Sequence, residues 1–262
     1  MIKERSPAEL AAIALQVAVG CAKLVSQGYR TRPSPEKKGR VDLVTEFDLM
    51  SESYLRAQLA ELTPEIPILA EEQGGSFVDE LCWYCDPLDG TTNFVHGHSF
   101  YAVSIGAMAR GVPIAGVVIA PALNLTWLGH QGTQTTRNGQ PCQVSETEAL
   151  DNSLFATGFP PDRTQEPGNN FSAWAKVKKR VRGVRRCGSA SIDLCFVADG
   201  TYDGYWERSL HAWDLVGGAA IVLASGGQVT GLDGAPPRLD TGNIVATNGR
   251  MHSALLDLLK DC

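Results

Sequence analysis

Residues 86–94 of this chain read Asp86-Pro87-Leu88-Asp89-Gly90-Thr91-Thr92-Asn93-Phe94. They follow an apolar run at 81–85, which predicts a buried strand that ends at the first carboxylate. The proline stiffens the backbone between the two aspartates, and the glycine permits a tight turn and close approach of a ligand. If a helix begins after the glycine, the amides of Gly90 and Thr91 are available to an anion. Two carboxylates beside a phosphate-sized cradle therefore indicate Mg²⁺-assisted phosphoryl chemistry.

Further acidic residues follow or precede predicted elements, and they favour a site over an ordinary Asp-Pro-x-Asp-Gly turn. The apolar run at 66–70 ends at Glu71 and Glu72, so it predicts a buried strand that delivers Glu71 to its end. A solvated acidic turn is the alternative there. Asp214 precedes the small-residue run at 217–224, which predicts a closely packed helix. An acidic residue at a helix start also occurs without any catalytic role, because it favours the positive helix end.

The rest of the pattern predicts helices and strands in mixed order. The predicted helices are 8–28, 48–62, 171–179 and 189–198, the predicted strands are 40–45, 181–186 and 204–207, and the predicted hairpin joins 100–108 to 112–119. Such an order indicates mixed sheets that pack against layers of helices.

The composition is that of an ordinary globular protein, with 44% apolar residues and a net charge of −6. The negative charge argues against an unspecific nucleic-acid binder. No apolar stretch approaches about 20 residues, so we expect no transmembrane helix, and a cytoplasmic location is the default. The seven cysteines fit reduced, buried thiols. Cys82 and Cys85 fall on opposite faces of the predicted strand, which argues against a redox or zinc pair.

Together these segments resemble the inositol monophosphatase family. The resemblance rests on 86–94, the Glu71-Glu72 pair and Trp213-Asp214, and also on the stretches 41–48 and 185–190. It extends from the N-terminal helix to about residue 248, essentially the whole chain. It implies one α+β unit over 1–262 with the layered α-β-α-β-α sandwich of the sugar-phosphatase type. The implied halves are 1–145, which would bind metal and phosphate, and 146–262, which would bind the substrate.

The resemblance also implies a metal cofactor, about two to three Mg²⁺ ions. Asp86 is implied to bridge two ions. Glu71 and the backbone carbonyl of Leu88 would complete the first ion's protein ligands, and Asp89 and Asp214 would hold the second. A third, weaker ion is implied near Glu71.

For catalysis, the resemblance implies direct in-line attack of a metal-activated water on phosphorus, without a phosphoenzyme. Thr91 and Glu71 would orient that water, and Asp48 would accept a hydrogen bond from the Thr91 hydroxyl. No cysteine or histidine nucleophile motif points to a covalent intermediate.

Substrate binding is implied for residues from both halves. Glu207 would accept hydrogen bonds from substrate hydroxyls, although it could instead pair with Arg208 or Arg186. Ser189 could instead be a plain helix cap. Ser191 stands where the family often has a second alanine, which affects the pocket shape. The full implied substrate set is Leu88, Asp89, Gly90, Thr91, Gly188, Ser189, Ala190, Glu207 and Asp214.

The function expected from the resemblance is Mg²⁺-dependent phosphate monoester hydrolysis by an inositol-1-monophosphatase that is lithium-sensitive and homodimeric. The same chemistry on fructose 1,6-bisphosphate, a nucleotide bisphosphate or histidinol phosphate is the alternative, although the Thr-Thr-Asn-Phe ending disfavours the last two. Another alternative is an additional, non-catalytic role in binding RNA or the transcription machinery. Basic residues between 176 and 186 could attract such a partner, or they could be an ordinary solvated face.

Overall fold

The computed structural model describes residues 5–37, 43–75, 80–160, 168–239, 241–260 and 262. The first part of the predicted strand 40–45, and of the stretch 41–48, lies outside these residues. Within the described residues the helices are α1 (Pro7–Gly28), α2 (Glu46–Leu62), α3 (Thr91–Val95), α4 (Phe171–Lys178), α5 (Ala190–Ala198), α6 (Ala212–Ala224) and α7 (His252–Leu259). The strands are β1 (Glu36–Lys37), β2 (Leu43–Val44), β3 (Ile68–Ala70), β4 (Leu81–Asp89), β5 (Ala102–Ala109), β6 (Val112–Ala120), β7 (Leu125–His130), β8 (Thr136–Arg137), β9 (Gln140–Pro141), β10 (Leu154–Thr157), β11 (Gly183–Arg185), β12 (Gly204–Glu207), β13 (Gln228–Thr230) and β14 (Ile244–Thr247).

Two large sheets organise the described chain. The first has seven strands in the order β3-β4-β5-β6-β7-β8-β9, where β3 and β4 are parallel and the other neighbours are antiparallel. The second has five strands in the order β11-β10-β12-β14-β13 and also mixes parallel with antiparallel pairs. The predicted mixed sheets are therefore confirmed.

Helices cover the sheets in layers. α1 and α2 pack against one face of the seven-stranded sheet, and α6 packs against its other face together with α5. α5 and α6 also contact strands of the five-stranded sheet, whose far side is covered by α4 and α7. This succession of helix, sheet, helix, sheet and helix agrees with the predicted layered architecture. It gives the chain cores on both faces of each sheet.

The helix α1 begins with a capping box and packs a small-residue face into the core. The Ser6 hydroxyl oxygen accepts a hydrogen bond from the Glu9 amide, and the Glu9 carboxylate accepts one from the Ser6 amide. By length and composition alone α1 could cross a membrane, contrary to the expectation from the sequence. Its residues Leu10, Val17 and Val25 are, however, fully buried in the core cluster of the first sheet. The helix thus has the packing of a core element.

The strand β4 is longer than predicted. The sequence indicated an end at Asp86, but the strand continues to Asp89, which pairs with Ala102 of β5. The register is irregular between Asp86 and Asp89, where Pro87 has no amide hydrogen to donate to the ladder. Both aspartates are therefore carried by a strand that is buried along almost its whole length.

Close contact between α6 and the first sheet depends on glycines. A Cβ atom at Gly106 of β5 would lie 2.5 Å from the Gly217 amide nitrogen, and one at Gly116 of β6 would overlap the Gly217 carbonyl oxygen. A Cβ at Gly217 itself would lie 2.5 Å from Ser104 Oγ. The backbone of α6 around Gly217 therefore lies directly on the two strands. This close contact fixes where the helix, and with it Asp214 near its start, lies relative to the sheet.

We expect Gly116→Ala to lower the free energy of unfolding by about 1–3 kcal/mol, because the added methyl group must push α6 away from the sheet. Urea unfolding followed by circular dichroism measures the change. Val112→Ala, an exposed position on the same strand, is the control and should change stability by less than about 0.5 kcal/mol. Equal stabilities of the two variants would contradict direct backbone contact at Gly116.

Candidate active site

One cleft brings most of the predicted residues together. It has a volume of about 530 Å³, and it is lined by Glu71, Asp86, Leu88, Asp89, Gly90, Thr91, Thr92, Asn93, Phe159, Arg186, Gly188, Ser189, Ala190, Glu207, Leu210, His211, Trp213 and Asp214. A larger cleft of about 740 Å³ lies elsewhere, but none of its lining residues is acidic or basic. The carboxylate-lined cleft is therefore the candidate site.

Three different elements deliver four of the five carboxylates of this cleft, and the fifth is Glu207. Glu71 lies in the turn that follows β3, as the sequence predicted. Asp86 and Asp89 belong to β4, and Asp214 lies in the first turn of α6. Asp86 and Asp89 are 2% and 8% exposed. Residues more than a hundred positions apart in the sequence thus share one largely desolvated space.

Local hydrogen bonds orient two of the carboxylates. Asp86 Oδ1 accepts the Leu88 amide at 2.9 Å, and Asp214 Oδ2 accepts the His211 amide at 2.7 Å. Each bond closes a short loop and uses only part of the acceptor capacity of its carboxylate. Asp86 and Asp214 can therefore still bind a ligand in the cleft.

Asp89 is oriented by the start of α5. Its Oδ2 accepts hydrogen bonds from Ser189 Oγ at 2.7 Å, from the Ser191 amide at 2.8 Å and from the Ser191 hydroxyl. Ser189 is also the N-cap of α5, as one of the two interpretations of this residue predicted. Its contribution to substrate binding stays a prediction. The contact of Ser191 with Asp89 was not predicted, because the sequence showed only that this position departs from the family pattern.

The carboxylates raise one another's pKa. Burial, followed by the neighbouring charges of Glu71, Asp89 and Asp214, raises the pKa of Asp86 well above its usual range. Burial and the charge of Asp89 do the same for Asp214, while burial raises the pKa of Asp89 against the lowering effect of its serine donors. Burial and mutual repulsion therefore disfavour the charged forms of these carboxylates.

The donor set matches a hard divalent cation. It consists of carboxylates and backbone carbonyl groups, which are the oxygen ligands that Mg²⁺ prefers. In the described ranges, no three acidic, histidine or cysteine side chains are already grouped as a closed metal cage. Ionised carboxylates that share one cleft repel one another, and a cation bound between them removes that repulsion. The arrangement thus offers ligands on several sides of an open cleft.

Thr91 and Asp48 form a hydrogen-bonded pair beside the cleft. Thr91 Oγ1 lies 3.0 Å from Asp48 Oδ1 and 3.1 Å from the Leu88 carbonyl oxygen. Asp48 is fully buried, and its Oδ2 accepts both the amide and the hydroxyl of Thr45 in the capping box of α2. When the single Thr91 proton is donated to Asp48, the lone pairs of Thr91 Oγ1 remain acceptors.

The segment after Asp89 meets the 187–188 loop at very short range. Gly90 has φ 89° and precedes α3, and a Cβ there would lie 2.9 Å from the Phe100 carbonyl and 3.2 Å from the Gly188 carbonyl. The Asn93 side chain donates to the Phe100 carbonyl at 2.6 Å and to the Cys187 carbonyl at 2.9 Å. Asn93 thus joins the two sides of the cleft. The sequence contained Asn93 in its main motif but gave no signal for this role.

Glu207 lies at the end of β12 and is 8% exposed. It accepts a hydrogen bond from the Tyr205 hydroxyl, and Arg208 instead donates to the Cys262 carbonyl. In the described part of the chain neither Arg208 nor Arg186 forms an ion pair with Glu207. Burial raises the pKa of Glu207 to about 7, and the Tyr205 bond and the charge of Arg186 act in the opposite direction.

The similarity of this chain to known proteins includes every residue that lines the cleft. The model of the inositol monophosphatase family matches residues 6–262. An inositol-1-monophosphatase of Synechocystis is 43% identical over 227 residues, which cover 86% of this chain and 79% of that protein. A protein of Pseudomonas aeruginosa named Nus factor SuhB is 35% identical over 257 residues, which cover 95% and 94%. The structure of an inositol monophosphatase from Anabaena superposes with a TM-score of 0.86 at 39% identity and covers 95% of this chain and 94% of that one.

Proposed function

The chain belongs to the inositol monophosphatase family of phosphatases, and from that premise we propose a Mg²⁺-dependent monoesterase acting on inositol 1-phosphate or a closely related polyol phosphate. The observation that carries the proposal is the cleft with four carboxylates on one side and Glu207 on the other. The first side suits cations and phosphate, and the second suits hydroxyl groups. A phosphorylated polyol presents both kinds of group to one site.

In this proposal Glu71, Asp86, Asp89, Asp214 and the carbonyl of Leu88 hold the cations. Asp86 would be a ligand shared by two cations, Glu71 and the Leu88 carbonyl would serve one of them, and Asp89 and Asp214 would serve the other. When bound, the cations neutralise the ester dianion and lower the pKa of nearby water. The proposal needs such cations because the carboxylates alone would repel the phosphate.

Thr91 has the role of orienting the attacking water. Asp48 Oδ1 accepts the hydrogen bond that the Thr91 hydroxyl donates. Thr91 Oγ1 can therefore accept a hydrogen bond from the water, which turns a lone pair of the water towards phosphorus. Glu71 is the second acceptor for the same water. The amides of Gly90 and Thr91 are donors for the phosphate oxygens, and the product is released without a covalent enzyme intermediate.

Substrate hydroxyls are recognised on the opposite side of the cleft. Glu207, which is oriented by a hydrogen bond from the Tyr205 hydroxyl, accepts hydrogen bonds from the substrate hydroxyls. The segment from Gly188 to Ala190 lines the same space. A carboxylate in a buried position prefers a partner with several donors, because an unpaired buried acceptor is costly. A polyol satisfies this requirement better than an apolar alcohol does.

The decisive assay measures phosphate release from inositol 1-phosphate, fructose 1,6-bisphosphate, a nucleotide bisphosphate and histidinol phosphate. We expect turnover in Mg²⁺, its loss after chelation, preference for inositol 1-phosphate and inhibition by Li⁺. A preference for another ester would support the proposed catalytic site but contradict inositol 1-phosphate as its substrate. Equal turnover with and without chelator would contradict the proposed cofactor.

Asp89→Asn should reduce kcat/KM by about 100-fold or more, because it removes one charged ligand of a cation position while the serine donors stay in place. Circular dichroism should show an unchanged fold. Asp257→Asn, which removes an exposed charge on α7, is the matched control and should retain full activity. Near-normal turnover of the Asp89 variant in saturating Mg²⁺ would show that Asp89 is not a cation ligand.

Glu207→Gln should act on substrate choice. Glutamine keeps the size of the side chain and can still accept from Tyr205, but it loses the charge that strengthens hydrogen bonds to hydroxyls. We expect the preference for inositol 1-phosphate over a phosphate ester without other hydroxyls to fall by about tenfold. The Mg²⁺ concentration for half-maximal rate should not change. A change confined to the Mg²⁺ dependence would assign Glu207 to the cations instead.

A second candidate function is an additional role in binding RNA or the transcription machinery. Basic side chains between 176 and 186 are exposed, and one relative carries the name of a Nus factor. These residues are Lys176, Lys178, Lys179, Arg180, Arg182, Arg185 and Arg186. An RNA mobility shift that weakens with added salt would support this role, and its absence at micromolar protein would remove it.

The homodimer, which the resemblance implies, and the cytoplasmic location, which is the default expectation from the sequence, stay predictions. Exposed aromatic residues Phe171 and Trp174 on α4 support the region 171–186 as the candidate interface between two copies.

A further inference from the structure

A buried carboxylate outside the cleft contacts the turn that carries Glu71. Glu52 of α2 is fully buried, and it is not among the residues that line the cleft. Its Oε2 accepts the Glu72 amide at 2.6 Å, and its Oε1 accepts the Gln73 amide at 2.9 Å. Both oxygens of Glu52 therefore bind the backbone directly after Glu71.

Arg56 completes this contact one helical turn later. Its Nε donates to Glu52 Oε1 at 2.7 Å, and its Nη2 donates to the carbonyl of Gly74. The same carbonyl accepts the Ala70 amide at 3.1 Å, which closes the turn onto the end of β3. The turn after β3 is thus bound by its amides to a carboxylate and by its carbonyl to a guanidinium.

The helix α2 also bonds the other acidic segment of the cleft. Asp48, one turn before Glu52 on the same helix face, accepts the hydrogen bond from Thr91, and Ser51 Oγ lies 3.4 Å from the Pro87 carbonyl. One helix face therefore contacts both the turn after β3 and the stretch that contains Asp86. A rigid helix fixes the distance between the two segments.

We propose that Glu52, supported by Arg56, is a positioning residue that sets the cation affinity of the site by fixing Glu71 relative to Asp86. This inference rests on the proposed function, in which both residues hold cations. Glu71 follows a three-residue strand and begins a turn, so the strand alone gives its backbone little support. The two bonds to Glu52 hold the turn, and through its backbone they restrict where the Glu71 carboxylate can lie.

The test compares Mg²⁺ binding by Glu52→Gln and wild-type protein in titration calorimetry without substrate. The variant keeps the side-chain volume, and its carbonyl oxygen can still accept one backbone amide, but its NH2 group cannot accept the other, so one of the two bonds is lost. We expect its Mg²⁺ dissociation constant to rise by about tenfold or more. Saturating Mg²⁺ should restore most of kcat, since the ligands themselves are unchanged.

Two control variants on the same helix separate positioning from general effects. Glu61→Gln removes an exposed charge, and Leu59→Val lowers stability at a buried position without touching the turn. Neither should alter the Mg²⁺ dissociation constant. If Leu59→Val weakens Mg²⁺ binding as much as Glu52→Gln does, stability alone explains the effect and the inference is wrong.

A double-mutant cycle tests whether Glu52 acts through Glu71. If it does, Glu52→Gln should weaken Mg²⁺ binding in the wild-type background and add little in the Glu71→Gln background. Independent, additive losses would overturn the inference. If Glu52→Gln does not fold, Arg56→Met takes its place, because Arg56 is partly exposed and its loss removes the bond to Gly74.

The outcomes separate this inference from the proposed function. Wild-type protein that binds no Mg²⁺ and hydrolyses no ester in its presence would overturn both. Wild-type protein that binds Mg²⁺ while Glu52→Gln and Arg56→Met bind it equally well would overturn only the positioning role. A raised dissociation constant that depends on Glu71 supports it.

Discussion

Electrostatic repulsion among four carboxylates in one buried cleft is the constraint to which the rest of this structure responds. Buried like charges raise each other's pKa, as Asp86 and Asp214 show. Left to themselves such groups would separate or take up protons. Here amides and hydroxyls bind the carboxylates of Asp86, Asp89 and Asp214. The same repulsion is the physical reason for proposing that cations occupy the cleft and bring an anionic ester to it.

Each of three helices holds one part of this cluster. α2 contacts the turn after β3 and the segment around Thr91, and α5 directs three donors at one oxygen of Asp89. α6 carries Asp214 in its first turn and lies directly on glycines of the first sheet. The layers therefore do more than bury apolar surface. They hold Asp89 and the turn that carries Glu71 through contacts from distant parts of the chain, while Asp86 and Asp214 are oriented by local hydrogen bonds.

The two sides of the cleft differ in chemistry because they come from different sheets. β4 and the turn after β3 supply acidic groups, while β12 and the start of α5 supply Glu207 and the serine-rich segment. The close approach of Gly90 to the Gly188 carbonyl joins these sides. Under the proposed function, a ligand that bridges them is anionic at one end, where cations are bound, and rich in hydroxyl groups at the other. This geometry is the physical basis of the proposed substrate class.

The sequence by itself determined the local elements and the residue types of the site. Apolar periodicity placed α1, α2, α5 and β12 within a few residues of their observed bounds; the end of a predicted strand located Glu71, and the start of a predicted helix located Asp214. Alternation along the strand also predicted that Cys82 and Cys85 lie in cores on opposite faces of the sheet. Such features depend on neighbours a few positions away, so a single sequence contains them.

Only the tertiary structure decided how these pieces contact one another. The extension of β4 to Asp89 needs pairing with β5, and no local pattern predicted β7 or β14. The hydrogen bonds from Ser191 to Asp89 join residues 102 positions apart, and those from the turn after β3 to Glu52 span 20 and 21 positions. Contacts of this kind depend on how layers stack and how closely helices approach sheets. No local pattern specifies them, because their partners become neighbours only when the chain folds.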